Sequence, residues 1–136
     1  MRFIVSKITT DAQMDAIHQW CVDSAAGAFV CSAGIPYPSR NELMMYQRGP
    51  FTIYVAHEGQ QCHGFLIADN TGRVLWLKHL PSTVGTVMRA LLTTAQKDFP
   101  GALWGWVQNP AMRTALQAHG VAPHPEQGDT ALVWVG

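Results

Sequence analysis

His57, Cys62 and His63 flank one short turn and are the residues of this chain closest in sequence that could together hold a metal. A zinc site needs four ligands, or three with an open position, and no carboxylate or second cysteine lies at useful spacing. In a strand, Cys62 and His63 also point to opposite faces. They therefore read as core or edge residues, and no metal site is expected. Cys31 sits in an irregular stretch with no neighbour that would lower its pKa, so it reads as a soft apolar residue. No serine stands in a Gly-x-Ser-x-Gly elbow, which leaves a nucleophile triad unsupported. Five tryptophans remain, Trp20, Trp76, Trp104, Trp106 and Trp134. Most are expected in the core. Trp104 and Trp106 share one strand face, and an exposed pair there would mark a docking surface. The weakly charged Gly27 to Pro38 stretch, with Phe29 and Tyr37, is the other expected contact element.

The elements that must carry these residues follow from hydrophobic periodicity and capping chemistry. Phe3-Ile4-Val5 reads as a short strand. Thr10 and Gln13 form a capping box that opens a helix to about Ala25, with Met14, Ile17, Cys21 and Ala25 on one face. Ser39 and Glu42 form a second box, and that helix ends before Gly49-Pro50. Three strands in an antiparallel meander are expected next, over 51–57, 62–68 and 73–80. Pro81 stops the third. Ser82 then caps a helix whose apolar stripe is Val84, Val87, Met88, Leu91, Leu92 and Ala95. A strand over 102–107 leads to Asn109-Pro110, an N-cap followed by proline at the first helical position, and this helix stops at Gly120. A single closing strand is expected over 130–135. The resulting order, βααβββαβαβ, is an α+β sandwich with helices on both faces of a mixed, mostly antiparallel sheet, in a single domain spanning residues 1–136.

Composition limits the partners. The formal net charge is zero and basic residues never cluster, so no footprint for nucleic acid is present. Charged residues make up 13% of the chain, half of the common share of about 25%, which fits a surface partly covered by partners or by copies of itself. Three widely separated cysteines are neither a disulfide framework nor a zinc motif, and suit a reducing interior. The apolar run at the start is too short for a signal peptide, and no membrane span is expected.

That order of elements is similar to the GNAT acyl-CoA acyltransferase fold. Trp104-Gly105-Trp106-Val107, then Asn109, then Gly120-Val121 eleven residues on, stand at the spacing found after the cofactor helix of that family. The resemblance implies an acyl-CoA site at the helix after the fourth strand, where bare backbone amides hold the pyrophosphate. The matching stretch is Pro81-Ser82-Thr83-Val84-Gly85-Thr86-Val87. Ser82, Thr83, Val84, Gly85, Thr86 and Asn109 are thus the candidate cofactor-binding residues. Only Gly85 of the family motif is kept, no Arg or Gln leads it, and Val84 and Val87 are expected to crowd the loop. The family's tyrosine general acid falls at Leu116, which has no proton to give. No carboxylate lies in Arg73 to Leu80, leaving His79 as the candidate base.

More narrowly, the chain resembles the small GNAT-like internal virion proteins of podovirus-type bacteriophages. That likeness runs through Ala33-Gly34-Ile35-Pro36, Pro38-Ser39, Leu75-Trp76, Leu103-Trp104 to Val107, Asn109, Arg113 and Gly120-Val121. It implies a non-catalytic virion or assembly component acting by protein contacts, in the virion or the host cytoplasm, with no cofactor. An alternative is a divergent acyl-CoA-dependent N-acetyltransferase binding acetyl-CoA through Gly85. A second is a phage-encoded adaptor or inhibitor of a host protein.

Overall fold

The structure is a computed structural model, described for residues 2–24, 29–30, 37–107 and 109–134, with only the backbone of Phe29, Val30 and Asp129. Its strands are β1 (Ile4–Lys7), β2 (Phe29–Val30), β3 (Phe51–Glu58), β4 (Gln61–Asp69), β5 (Arg73–His79), β6 (Trp104–Trp106), β7 (Val121–His124) and β8 (Gly128–Trp134). They form one sheet in the order β1-β3-β4-β5-β6-β8-β7, with β2 paired to β5 off this path. Among the described residues only β5 and β6 run parallel, and every other pair is antiparallel.

Helices α1 (Asp11–Ser24) and α2 (Arg40–Arg48) lie on one face, and α3 (Arg89–Asp98) and α4 (Pro110–Ala118) on the other. Strand alternation makes both faces apolar. Met14, Ile17, Cys21 and Leu43 pack on Ile53, Val55, Phe65, Ile67 and Trp76. On the other side Met88, Leu91, Leu92, Met112 and Leu116 meet Tyr54, Leu66 and Leu77. Each such side chain contributes about 1.5–3 kcal/mol on full burial, which is what fixes the layers.

The caps form as their residue types require. Thr10 Oγ1 accepts from Gln13 N at 3.3 Å while Gln13 Oε1 accepts from Thr10 N at 3.1 Å. Ser39 Oγ accepts from Glu42 N at 3.1 Å. Asn109 Oδ1 accepts from Ala111 N at 2.9 Å and Met112 N at 3.2 Å. Gly120, just past α4, takes a φ of 100° that only glycine adopts without strain.

Two expectations are corrected. Ser82 caps no α-helix: Pro81–Thr83 is a 3₁₀ turn, Val84–Met88 a π-helical turn, and α-geometry begins at Arg89. The single closing strand is a hairpin, β7 with β8, because Pro123 stands exposed on an edge strand where its missing N–H costs no ladder bond. α1 ends at Ser24, and Ala25 lies outside the described residues, as does most of the Gly27 to Pro38 stretch.

One polar link ties the layers. The hydroxyl of buried Tyr54 donates to Asp98 Oδ2 at 2.6 Å, and Lys7 Nζ lies 2.9 Å from the same oxygen. Tyr54→Phe is expected to cost about 1–2 kcal/mol in urea denaturation, since Asp98 is exposed enough to take water instead.

Candidate functional site

β5 and β6 pair only through Arg73 with Trp104 and Val74 with Gly105. Gly105 permits that contact, because a Cβ there would lie 3.0 Å from the Val74 carbonyl oxygen. The ladder then stops while β5 runs on to His79, whose last two residues pair with β2 instead. The 3₁₀ and π turns begin just beyond, at the end of β5.

A glycine on β4 sets how those turns sit. A Cβ on Gly64 would lie 2.8 Å from the Lys78 carbonyl oxygen and 2.9 Å from Val87 Cγ1. Without it, Val87 drops onto the sheet and is fully buried, and Val84 packs partly buried against the same core. The expected crowding by these two valines is therefore corrected: both turn inward. Facing out are Ser82, Gly85 and Thr86. Thr83 is buried, its hydroxyl donating to the Leu80 carbonyl at 2.8 Å. His119, at the end of α4, brings its ring to 3.6 Å from where a Gly85 Cβ would stand. Small exposed residues over the first amides of a helical segment suit an anion. π turns of this kind often mark functional sites.

The remaining candidates lie elsewhere. His79 is buried beside Gly64 and Val87, its Nδ1 hydrogen-bonded to the Leu80 carbonyl at 2.7 Å. Burial pushes its pKa down to about 4, so it stays neutral and weakly basic at neutral pH. Asn109 has its side-chain oxygen committed to the cap of α4. Leu116 fills the core under α3 and α4. His57 and Cys62 face α1, whereas His63 lies on the other side against Phe3, so the turn does not gather the three. Trp76 and Trp134 are core, while Trp104 and Trp106 are half-buried and meet edge to face at 5.7 Å.

Two residues of interest carried no sequence signal. His119 reaches Gly85 only because α4 ends beside the π turn. Lys78 alternates with Trp76 and so faces α1, fully buried, its Nζ 5.3 Å from the centroid of the Trp20 ring. Reading β5 for a carboxylate passes over a buried lysine.

No protein-family model matches this chain, and no curated protein sequence matches it. Solved structures do. It is similar to a ribosomal-protein-alanine N-acetyltransferase from Escherichia coli, at 13% identity and TM-score 0.61 over 96% of this chain and 90% of that one. It is similar to the GNAT domain of S. lividans PAT, at 12% identity and TM-score 0.60, over 94% of this chain and 86% of that one. A third is the PaiA N-acetyltransferase of Thermoplasma acidophilum in complex with coenzyme A, at 13% identity and TM-score 0.59, covering 97% of both chains. These structures are acetyltransferases, and the expected kinship with phage virion proteins finds no support among them. The expectation of a non-catalytic virion function drawn from that kinship is accordingly corrected: the similar structures are N-acetyltransferases. The chain has the GNAT acetyltransferase fold.

Proposed function

We propose that this protein is a divergent N-acyltransferase that takes its acyl group from an acyl-CoA. The observation that carries the proposal is the surface of Ser82, Gly85 and Thr86 at the end of β5, cleared by the inward turn of Val84 and Val87. Coenzyme A fits it on two counts. The Gly85 surface has room, with nothing nearer to a Cβ there than the His119 ring at 3.6 Å. The diphosphate would find the Ser82 hydroxyl and the His119 ring beside the backbone of the turns, with the Thr86 hydroxyl turned to the Thr83 carbonyl at 3.4 Å and without a carboxylate on these turns.

The thioester arm would then lie toward the place where β5 leaves β6. An amine acceptor's nitrogen bonds the thioester carbonyl carbon and the C–S bond breaks; the nitrogen gives its surplus proton to water, and water returns one to the thiolate. Leu116 has no proton to offer, and neutral His79 is buried on the α3 side. Rate enhancement here rests on holding the two reactants in line rather than on a side-chain acid.

Calorimetric titration tests this. Acetyl-CoA and free coenzyme A should bind the wild-type chain with micromolar affinity. Gly85→Glu, which adds a negative charge at an exposed position against the phosphates, should weaken both at least about tenfold with little change in melting temperature. Absence of heat and of any thermal shift with wild type would overturn the proposal.

A further inference from the structure

Between the start of α1 and the β3–β4 turn a pocket of about 270 Å³ opens to solvent. Its room comes from small residues. Ala12 and Ala16 stand one helical turn apart on α1, and Gly59 adds no side chain from the turn. The floor is the buried core itself, at Ile17, Val55 and Cys62. An apolar cavity of about 150 Å³ holds benzene, so this volume takes an aromatic ring with a short substituent.

The hydrogen-bonding atoms around the pocket are largely committed. His57 Nδ1 lies 2.9 Å from the Gly59 carbonyl oxygen, and His57 Nε2 lies 2.9 Å from Ser6 Oγ. A carbonyl only accepts, so Nδ1 donates and Nε2 accepts from the Ser6 hydroxyl. The ring is thereby held in one orientation and brings the pocket no spare donor or acceptor. The Cys62 thiol turns to the Gly64 carbonyl at 3.7 Å. Gln13 Oε1 accepts from the backbone amides of Thr9 at 2.9 Å and Thr10 at 3.1 Å. Both lone pairs of that oxygen are used, which leaves the Gln13 NH₂ as the end able to donate to a ligand. Gln60, the other amide-bearing residue, is exposed. No Lys, Arg, Asp or Glu stands among the described residues that line the pocket. A charged ligand would lose water there and gain no counter-charge. An uncharged one loses little and can accept from Gln13.

We propose that this pocket binds small uncharged molecules that carry an apolar ring and one hydrogen-bond acceptor, such as an amide carbonyl. The ring lies on Ile17, Val55 and Cys62 between the two alanines and the β3–β4 turn, and the acceptor meets the Gln13 NH₂. The pocket is on the α1 face of the sheet, whereas the Gly85 turn packs on the α3 face, so this site does not depend on the acyl-CoA reading.

The test uses the full chain and three probes built on one ring: phenylacetamide, which is uncharged, phenylacetate and phenethylammonium. Binding is read from backbone amide chemical shifts of isotope-labelled protein. Phenylacetamide should bind with a Kd of about 1 mM or tighter and shift the amides of Ala16, Gly59 and Cys62. The two charged probes should bind at least about tenfold more weakly. Ala16→Leu fills the pocket from a half-buried helical position, so it should abolish binding while melting at or above wild type. Gln13→Glu keeps an oxygen for the capping box and removes the NH₂, so it should weaken phenylacetamide about tenfold with the fold intact. Gly85→Glu should leave binding unchanged. Absence of shifts at the pocket in the folded wild-type chain, charged probes bound as tightly as phenylacetamide, or binding undiminished in either folded pocket variant would overturn the proposal.

Discussion

Gly64→Ala is expected to destabilise the protein by about 2–3 kcal/mol, lowering its melting temperature by about 10 °C, and to weaken any ligand binding at the Gly85 surface. The added methyl would stand 2.8 Å from the Lys78 carbonyl oxygen and 2.9 Å from Val87 Cγ1. The first neighbour is backbone of the adjacent strand, held by the β4–β5 ladder, so it cannot yield. The second is a β-branched side chain in a helical turn, with one strongly preferred rotamer. Relief requires lifting the π turn off the sheet, which moves Ser82, Gly85 and Thr86 together. Gly59→Ala provides the comparison. Its φ of 60° strains any side chain, but nothing lies within 4 Å of the new Cβ, so the cost should stay near about 1 kcal/mol with binding unaltered. Equal effects for the two variants, by thermal denaturation and calorimetry, would show that packing at Gly64 does not hold the turn.

Lys78→Met should do the reverse and stabilise the fold by about 1–3 kcal/mol near neutral pH. Lys78 is fully buried, and its Nζ has no hydrogen-bond partner among the described residues. It faces the Trp20 ring and the thiols of Cys21 and Cys62, both of whose pKa values burial pushes up to about 12, so neither supplies a negative charge at neutral pH. Burial lowers the lysine's own pKa below 10.5. The unfolded chain therefore binds the proton more readily than the folded one. Stability must rise with pH across the window from the folded pKa up to 10.5, and the penalty is fully present below that window. Methionine fills a similar volume, makes sulfur–aromatic contact and does not titrate. The wild-type melting temperature should rise relative to that of the methionine variant between pH 6 and pH 10. A variant less stable than wild type at pH 6 would mean that the ring and thiols already satisfy the cation.

Both substitutions sit on the central strands, where the sequence is informative about the elements and silent about what crosses between them. The capping residues at Thr10, Ser39 and Asn109, the three-strand meander and the two helical faces were all legible, because each depends on residues within a few positions of one another. A proline in an exposed edge strand hid β7. The π turn was hidden too, since its apolar spacing also suits an α-helix and the turn was expected to continue one. Narrow motif likeness proved the least secure guide. Short stretches that pointed to a phage virion family find support only for the fold.

What the sequence determined by itself is the order of elements apart from β2 and β7, the two apolar faces of the sheet and the absence of the family's tyrosine and carboxylate, all properties of local pattern or residue identity. Tertiary structure alone decided that Val84 and Val87 turn inward, that His119 comes to Gly85, that Lys78 is buried under Trp20, and that Ser6 meets His57. Each depends on strand register and helix docking, which bring together residues tens of positions apart. A one-residue change of register would reverse every strand side chain and undo those contacts.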